Sequence, residues 1–445
     1  MRSLLFFCEM VALLPIACVR PFVGVLAFAF ISFANLHRLT WGFTASVPWA
    51  YLTAIATVIG CIGAQEPKRS PINPTTLLIL LFIILFSLSS LVALAPADMV
   101  ATKWESNAKV FGFLLLISAM LSDKYRIHAL LWVMVISLGY YGVKGGGFTI
   151  LKAGGARIFG PPATTIADNN HLAAGLLVTL PVMNYLRMQS AYRIIRIGLL
   201  LGMILTLFAV VGSYSRGALL GLAAVSFVLW LRSPNKIVTG IVVVVAVAAA
   251  IHFMPQAWID RMSTLQKYEQ DASAQTRFEI WKAAWAMGVA RPLTGAGFMG
   301  PYVQDVVSRF APDTDARAVH SIWFEPIGEL GFPAFFVWFS ITLVGIWNTF
   351  QILFESRGVA DLQWARDLAR MTQVSIVAYL VAGTFLSLSY WDFYFTLLVV
   401  IAATRILVAI RVNEIAAANT SIPPWRARLR SAGLSRPGDA PAGTV

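Results

Sequence analysis

The sequence predicts an all-α polytopic membrane protein of about twelve transmembrane helices, with one large helical loop between late spans. Three observations carry that prediction. Hydrophobic residues make up 58% of the 445 positions and charged residues only 12%, well under the share of roughly 25% in a soluble domain, and the mean hydropathy is +0.74. Unbroken apolar runs of helical length recur without strand-like alternation, so the spans are helices and not barrel strands. The net charge of +13 sits mostly in short loops between apolar runs, where it sets orientation and gives no reason to invoke nucleic acid.

Taken in order, the spans are expected near 22–36, 48–64, 76–95, 108–121, 127–142, 170–186, 193–212, 216–231, 236–252, 321–352, 371–389 and 391–410. The first segment, 3–18, contains Glu9 and runs into Arg20-Pro21, so it reads as an interfacial or half-inserted helix. It lacks a small-residue cleavage site and is expected to be retained. Cys8, Cys18 and Cys61 all lie in apolar segments and read as small buried hydrophobes, with no disulfide framework or cysteine metal site.

Loop charge gives the orientation. The loops holding Lys68-Arg69, Asp123 to Arg126, Arg187 to Arg196, Arg232 to Lys236 and Glu355 to Arg370 alternate along the chain and are rich in Lys or Arg, so they are expected to be cytoplasmic. The tail, 411–445, is basic and rich in Pro, Gly, Ala and Ser, and is expected on that side and disordered. The chain thus divides into a membrane bundle (1–252), an outer helical loop or lid (253–320), a second set of membrane helices (321–410) and the tail. For a bacterial inner-membrane protein, the outer side is the periplasm.

The stretch from Ile251 to Gly331 is the one long break in the apolar pattern, and its charges nearly cancel, which suits translocation. Within it, Thr276-Arg-Phe-Glu279 reads as a capping box opening a helix to about Val289, with Phe278, Trp281 and Trp285 as an apolar stripe. Arg291-Pro-Leu-Thr-Gly-Ala-Gly297 stops that helix.

Candidate chemistry gathers on the outer side. His320 stands where the loop meets the next span; a neutral imidazole there can take a proton from a hydroxyl, and a histidine anchoring a span end is the plainer alternative. Arg216 opens a span on the outer side against the positive-inside tendency and needs an anionic partner, either a carboxylate of the chain or a ligand phosphate. Arg277 in the first turn of the loop helix makes an anion site together with free N–H groups, or else pairs with Glu279 or Asp271. Asp168-Asn169-Asn170-His171 opens another span after a glycine-rich, basic loop that runs from Lys144 to Arg157; it has groups for sugar hydroxyls, and capping by Asp168 or Asn169 is the simpler account. Asp313-Thr-Asp315 has the spacing of a metal–diphosphate motif but matches at two residues only. No nucleotide-binding glycine loop is present.

Ser213-Tyr-Ser-Arg-Gly-Ala218, Arg277-Phe-Glu-Ile-Trp281 with Pro292 to Gly297, and His320-Ser-Ile-Trp with Glu329-Leu-Gly331 follow one another in an order and topology that resemble the bacterial O-antigen ligase and O-antigen polymerase superfamily of integral membrane glycosyltransferases. The N-terminal Arg20-Pro-Phe-Val-Gly24 and Asn35 to Phe43 resemble a branch associated with exopolysaccharide or exosortase gene clusters, and Ser321 departs from the Asn that many members carry.

The resemblance implies a GT-C-like fold and an O-antigen ligase in the inner membrane. It would transfer a glycan from undecaprenyl diphosphate to a hydroxyl of the lipid A core, with inversion and with no cofactor or metal. His320 would be the base, Arg216 and Arg277 would bind the diphosphate, and Arg157, Asn169, Asn170, His171, Tyr214, Trp323 and Glu329 would contact substrate. Polymerase and protein O-oligosaccharyltransferase are alternatives within the class. A transporter of lipid-linked glycan or solute is the alternative outside it.

Overall fold

The computed structural model describes residues 2–39, 43–263 and 272–420. Among them the regular structure is helical throughout, with no strand. The first half comprises α1 (Arg2–Val19), α2 (Pro21–Ala34), α3 (Phe43–Ser46), α4 (Trp49–Gly63), α5 (Pro74–Leu91), α6 (Ala97–Met120), α7 (Lys124–Leu151), α8 (Asn169–Gln189) and α9 (Arg193–Gly212). The second half comprises α10 (Arg216–Arg232), α11 (Lys236–Phe253), α12 (Gln256–Ser263), α13 (Ala272–Ala290), α14 (Gln304–Phe310), α15 (Phe324–Glu355), α16 (Gln363–Gly383) and α17 (Asp392–Thr420). Six of these, α5, α7, α9, α11, α15 and α17, are long and apolar enough to cross a membrane.

Lipid exposure explains the contrast among the helices. α11 buries none of its residues and is Val-rich on every side, as a helix facing lipid must be. α8 is buried along nearly its whole length between α7, α9, α10 and α16, so it tolerates Asn169, His171 and Thr179. α16 likewise buries Asp367, Thr372, Gln373 and Ser375, with Gln373 donating to Thr349 at 2.8 Å and Ser375 to the Val178 carbonyl at 2.8 Å. Most polar groups among the helices have such partners; Ser137 Oγ and Thr372 Oγ1 are buried without one among the described residues.

Several elements differ from the sequence expectation. α6 begins at Ala97 instead of about 108, because the charges in its first half are satisfied by pairing: Lys109 with Glu105, and Lys103 with two carboxylates of α15. α7 runs through the Lys144-Gly-Gly-Gly147 segment, expected as a loop. Those glycines are a packing device: a Cβ at Gly146 would lie 1.9 Å from the Leu205 carbonyl oxygen, so only glycine lets α7 and α9 touch. α1 is a regular helix that lays Phe6 and Met10 on Trp49 of α4 and Ile31 of α2. Cys8 is exposed, and Cys18 and Cys61 are half-buried instead of buried, since each faces outward from its helix. α17 stays helical through Thr420, past the expected start of the tail at 411, supported by Arg411 pairing with Asp361 and Glu414; residues 421–445 lie outside the described residues.

The long loop is built into the bundle. α13 starts at Ala272, so Thr276-Arg-Phe-Glu279 lies inside the helix and is no capping box. Its buried face is Ile280, Ala283, Ala284 and Met287 against α15, not the aromatic stripe. Phe278 and Trp285 are largely exposed, and Trp281 instead stacks on Phe324 at 5.3 Å. Close approach comes from Gly288 and Gly328, where added Cβ atoms would meet Ile327 and Ala284.

α15 is interrupted at Gly331 (φ 79°, ψ 179°), a conformation open essentially to glycine alone. The break frees backbone groups that the segment after α13 takes up. The amides of Ala296 and Gly297 donate to the carbonyls of Gly328 and Glu329, both at 2.8 Å, and Phe332 N–H donates to Pro292 at 2.8 Å.

Candidate active site

Four contacts fix His320. Its own amide donates to Ser387 Oγ at 2.9 Å, and the flanking residues are tied on both sides: Trp281 Nε1 donates to the Val319 carbonyl at 2.8 Å, Ile322 N–H to Gly383 at 3.1 Å, and Trp323 Nε1 to Thr384 Oγ1 at 3.0 Å. The segment is therefore clamped between α13 and the α16–α17 connection. His320 adopts a left-handed backbone (φ 50°), unusual for a residue with a Cβ. Its Nδ1 is buried with no hydrogen-bond partner among the described residues, a condition that ordinary packing avoids.

The imidazole lies in a cationic setting. Burial, then the Arg277 guanidinium, then the neighbouring His171, push the His320 pKa down to about 4, against the opposing pull of Asp168 and Glu325. It is neutral at physiological pH, the form that can accept a proton. Arg277 sits more than a turn into α13, not in the first turn, so its guanidinium and not free helix N–H groups would carry anion binding there.

His171 comes within 6.1 Å of His320, ring centre to ring centre. The Asp168 carboxylate caps α8 through the amides of Asn170 (2.7 Å) and His171 (3.1 Å) and also engages His171 Nδ1. Burial alone would raise the Asp168 pKa, but the bond and charge of His171 and the two amides outweigh it and hold it down to about 2. Asp168 is thus both the expected cap and the orienter of a histidine.

From there the site extends to α10. Asn169 Nδ2 donates to the Ser213 carbonyl at 2.7 Å, and Asn170 to Asn169 Oδ1 at 3.4 Å. In the turn that follows, Ser215 Oγ caps α10 at the Ala218 amide (3.2 Å), and Tyr214, at φ 60°, donates its hydroxyl to Gly154 at 2.8 Å. The Arg157 guanidinium lies over the Tyr214 ring at 5.4 Å, and Arg261 donates to the Tyr214 carbonyl at 3.1 Å. Arg216 is the first residue of α10, and its neighbour Gly217 packs on Ala382 and Phe385 of the connection that also holds 320–323. The segments that carry Arg216, Arg277 and His320 therefore converge on the α16–α17 connection.

Glu329 lies elsewhere. Its carboxylate is fully buried and receives the Lys103 ammonium (2.7 and 2.9 Å), the Met299 amide (3.0 Å) and the Tyr390 hydroxyl (3.0 Å). Glu325, one turn earlier, accepts from Lys103 (3.4 Å), Ser389 (2.7 Å) and Tyr302 (3.4 Å). Sequence reasoning identifies Glu329 but misses Glu325, Lys103 and Ser387; the readable signal is a pair of carboxylates four residues apart inside an apolar span. This cluster forms one wall of a cavity of about 720 Å³ shared with α6, the 163–166 segment and 387–393. Asp315 pairs with Arg317 at 3.1 Å, and among the described residues no group of three or more His, Cys, Asp or Glu side chains could hold a metal ion.

Among the described residues, an all-helical bundle with six helices long and apolar enough to cross a membrane defines a multi-pass membrane protein, with His320 in the connection that leads into α15. Residues 201–339, from α9 into α15, match the family model described as O-antigen ligase. Residues 1–191 match a family of unknown function. No curated protein matches the chain.

Proposed function

We propose that this protein is an O-antigen ligase of the bacterial inner membrane, with about twelve spans and its active site facing the periplasm. The observation that carries the reading is His320: a neutral, half-buried imidazole whose Nδ1 is buried and unpartnered, held beside Arg277 where the segments of Arg216, Arg277 and His320 converge. In the proposed reaction a hydroxyl of the lipid A core oligosaccharide attacks the anomeric carbon of the undecaprenyl-diphosphate-linked glycan. The new C–O bond forms as the bond to the diphosphate oxygen breaks, with inversion, and the hydroxyl proton passes to His320.

Arg216 and Arg277 bind the diphosphate and stabilise the charge it gains on leaving, a role worth a few kcal/mol each when desolvated. A bound diphosphate also offsets the Arg277 charge that depresses the histidine, so donor binding raises the basicity of the base. Asp168 orients His171 beside it, and Trp323 and Ser387 fix the backbone. Arg157, Asn169, Asn170 and Tyr214 shape the turn that delivers Arg216.

The test is complementation of a ligase-deficient bacterium that has a compatible core, read as the high-mass ladder on a lipopolysaccharide gel. Wild type should restore the ladder, His320→Ala should not while retaining donor binding, and Arg216→Ala or Arg277→Ala should weaken donor binding as well. Full activity in all three variants refutes the roles. A longer unligated polymer would instead indicate a polymerase, and vectorial uptake without a new glycosidic bond a transporter.

A further inference from the structure

The 720 Å³ cavity has no part in the scheme above, yet it adjoins it. Ser387, whose hydroxyl holds the His320 amide, is one of its lining residues. Two residues earlier in the same connection, Phe385 faces the other way, toward Gly217 beside Arg216 and toward Trp281, one turn beyond Arg277. The arginine-bearing elements and the cavity thus both border the short connection that holds His320, the first at Phe385 and the second at Ser387.

The lining suits a sugar better than a lipid chain or a polyanion. The lining includes the polar stripe Asp98, Thr102 and Ser106, on one face of α6, and Thr165 of the 163–166 segment; the tyrosine and tryptophan at 390 and 391 supply aromatic surface. Charges of both signs are present, Arg38 and Lys103 against Asp98, Glu325 and Asp392, and hydroxyl and amide side chains alternate with apolar and aromatic surface. The volume falls in the range of small-ligand sites and admits a short oligosaccharide.

We propose that this cavity seats the acceptor saccharide, so that its hydroxyl reaches His320 from the Ser387 side while the diphosphate leaves on the arginine side. The proposal rests on the reading of His320 as the base. It also gives the N-terminal half a role in acceptor specificity, because α6 and the 163–166 segment lie within the region that matches a family of unknown function.

The experiment uses the full chain in lipid nanodiscs and titrates two probes, a delipidated core oligosaccharide from rough-form lipopolysaccharide and undecaprenyl diphosphate. Thr165→Trp and Ser106→Trp fill the cavity from two different segments at exposed positions, so that one folded variant suffices. Wild type and His320→Ala should bind the oligosaccharide equally, and each folded tryptophan variant should bind it at least tenfold more weakly with unchanged affinity for undecaprenyl diphosphate. The proposal is overturned if wild type does not bind the oligosaccharide at millimolar concentration. It is equally overturned if a folded tryptophan variant binds like wild type, or if the loss falls on undecaprenyl diphosphate. The His320 reading fails on a separate readout, wild-type transfer by His320→Ala, which leaves the binding result standing.

Discussion

Glu329→Ala should be among the most destabilising single substitutions in this chain. The carboxylate is completely buried and accepts from three groups: the Lys103 ammonium at 2.7 Å, the Met299 amide at 3.0 Å and the Tyr390 hydroxyl at 3.0 Å. Removing it leaves a largely buried cation, which keeps Glu325 at 3.4 Å as its one carboxylate beside the rings of Phe298, Tyr302 and Tyr390, and strands two neutral donors. Breaking a buried ion pair from one side costs about 3–5 kcal/mol, and each stranded donor about 1–3 kcal/mol where water cannot reach it. Partial relaxation toward Glu325 and water from the adjoining cavity offset some of this, so the ion-pair figure of about 3–5 kcal/mol is the working value for the whole substitution. At about 2 °C per kcal/mol, the lower end for larger domains, the apparent melting temperature in detergent should fall by roughly 6–10 °C. Lys103→Met combined with Glu325→Gln and Glu329→Gln removes all three charges of the cluster and should recover a large part of the loss. A fall of only a degree or two in Glu329→Ala would refute the argument, because it would mean that the cluster is hydrated.

Other consequences are smaller in scope. His320, held near pKa 4 when folded and near about 6.5 when unfolded, binds more protons in the unfolded chain between those values. Stability should therefore decline as pH falls from about 6.5 to 4, and less steeply in His320→Ala, measured as melting temperature against pH. In histidine side-chain NMR of the five imidazoles, the His320 resonance should titrate near pH 4 and move up toward 6.5 in Arg277→Gln; no movement would remove Arg277 from its vicinity. Gly331→Ala places a Cβ 2.7 Å from the Pro292 carbonyl oxygen at φ 79° and should cost at least about 1–3 kcal/mol, seen as a lower melting temperature. Gly146→Ala meets the Leu205 carbonyl at 1.9 Å and should force α7 from α9, lowering yield and stability together; a variant as stable as wild type would show that the helices are not in contact there.

What can be read from the sequence follows from what periodicity and hydropathy measure. α5, α9 and α11 face lipid and announce themselves by apolar content. α6 reads short because its first half carries charges that pair in three dimensions, and helical Gly145 and Gly146 read as a loop because glycine's need for close approach is invisible without the neighbouring helix. The His320, Arg277 and Arg216 segments are identifiable as motifs, and their meeting depends on contacts such as Asn169 to Ser213 and Ile322 to Gly383 that join residues far apart in the chain. Lys103 has no local feature to distinguish it from any surface lysine. Its importance arises only from two carboxylates more than 200 residues away.

The left-handed backbone at His320 makes this position a poor guide for anyone improving the protein by selection for heat tolerance. Glycine, and to a lesser degree asparagine, tolerates φ 50° better than histidine does, by about 1–2 kcal/mol in the glycine case. A thermostability screen blind to turnover would thus reward loss of the imidazole, and if His320 is the base proposed above its best survivors would be well-folded, readily purified and inert proteins.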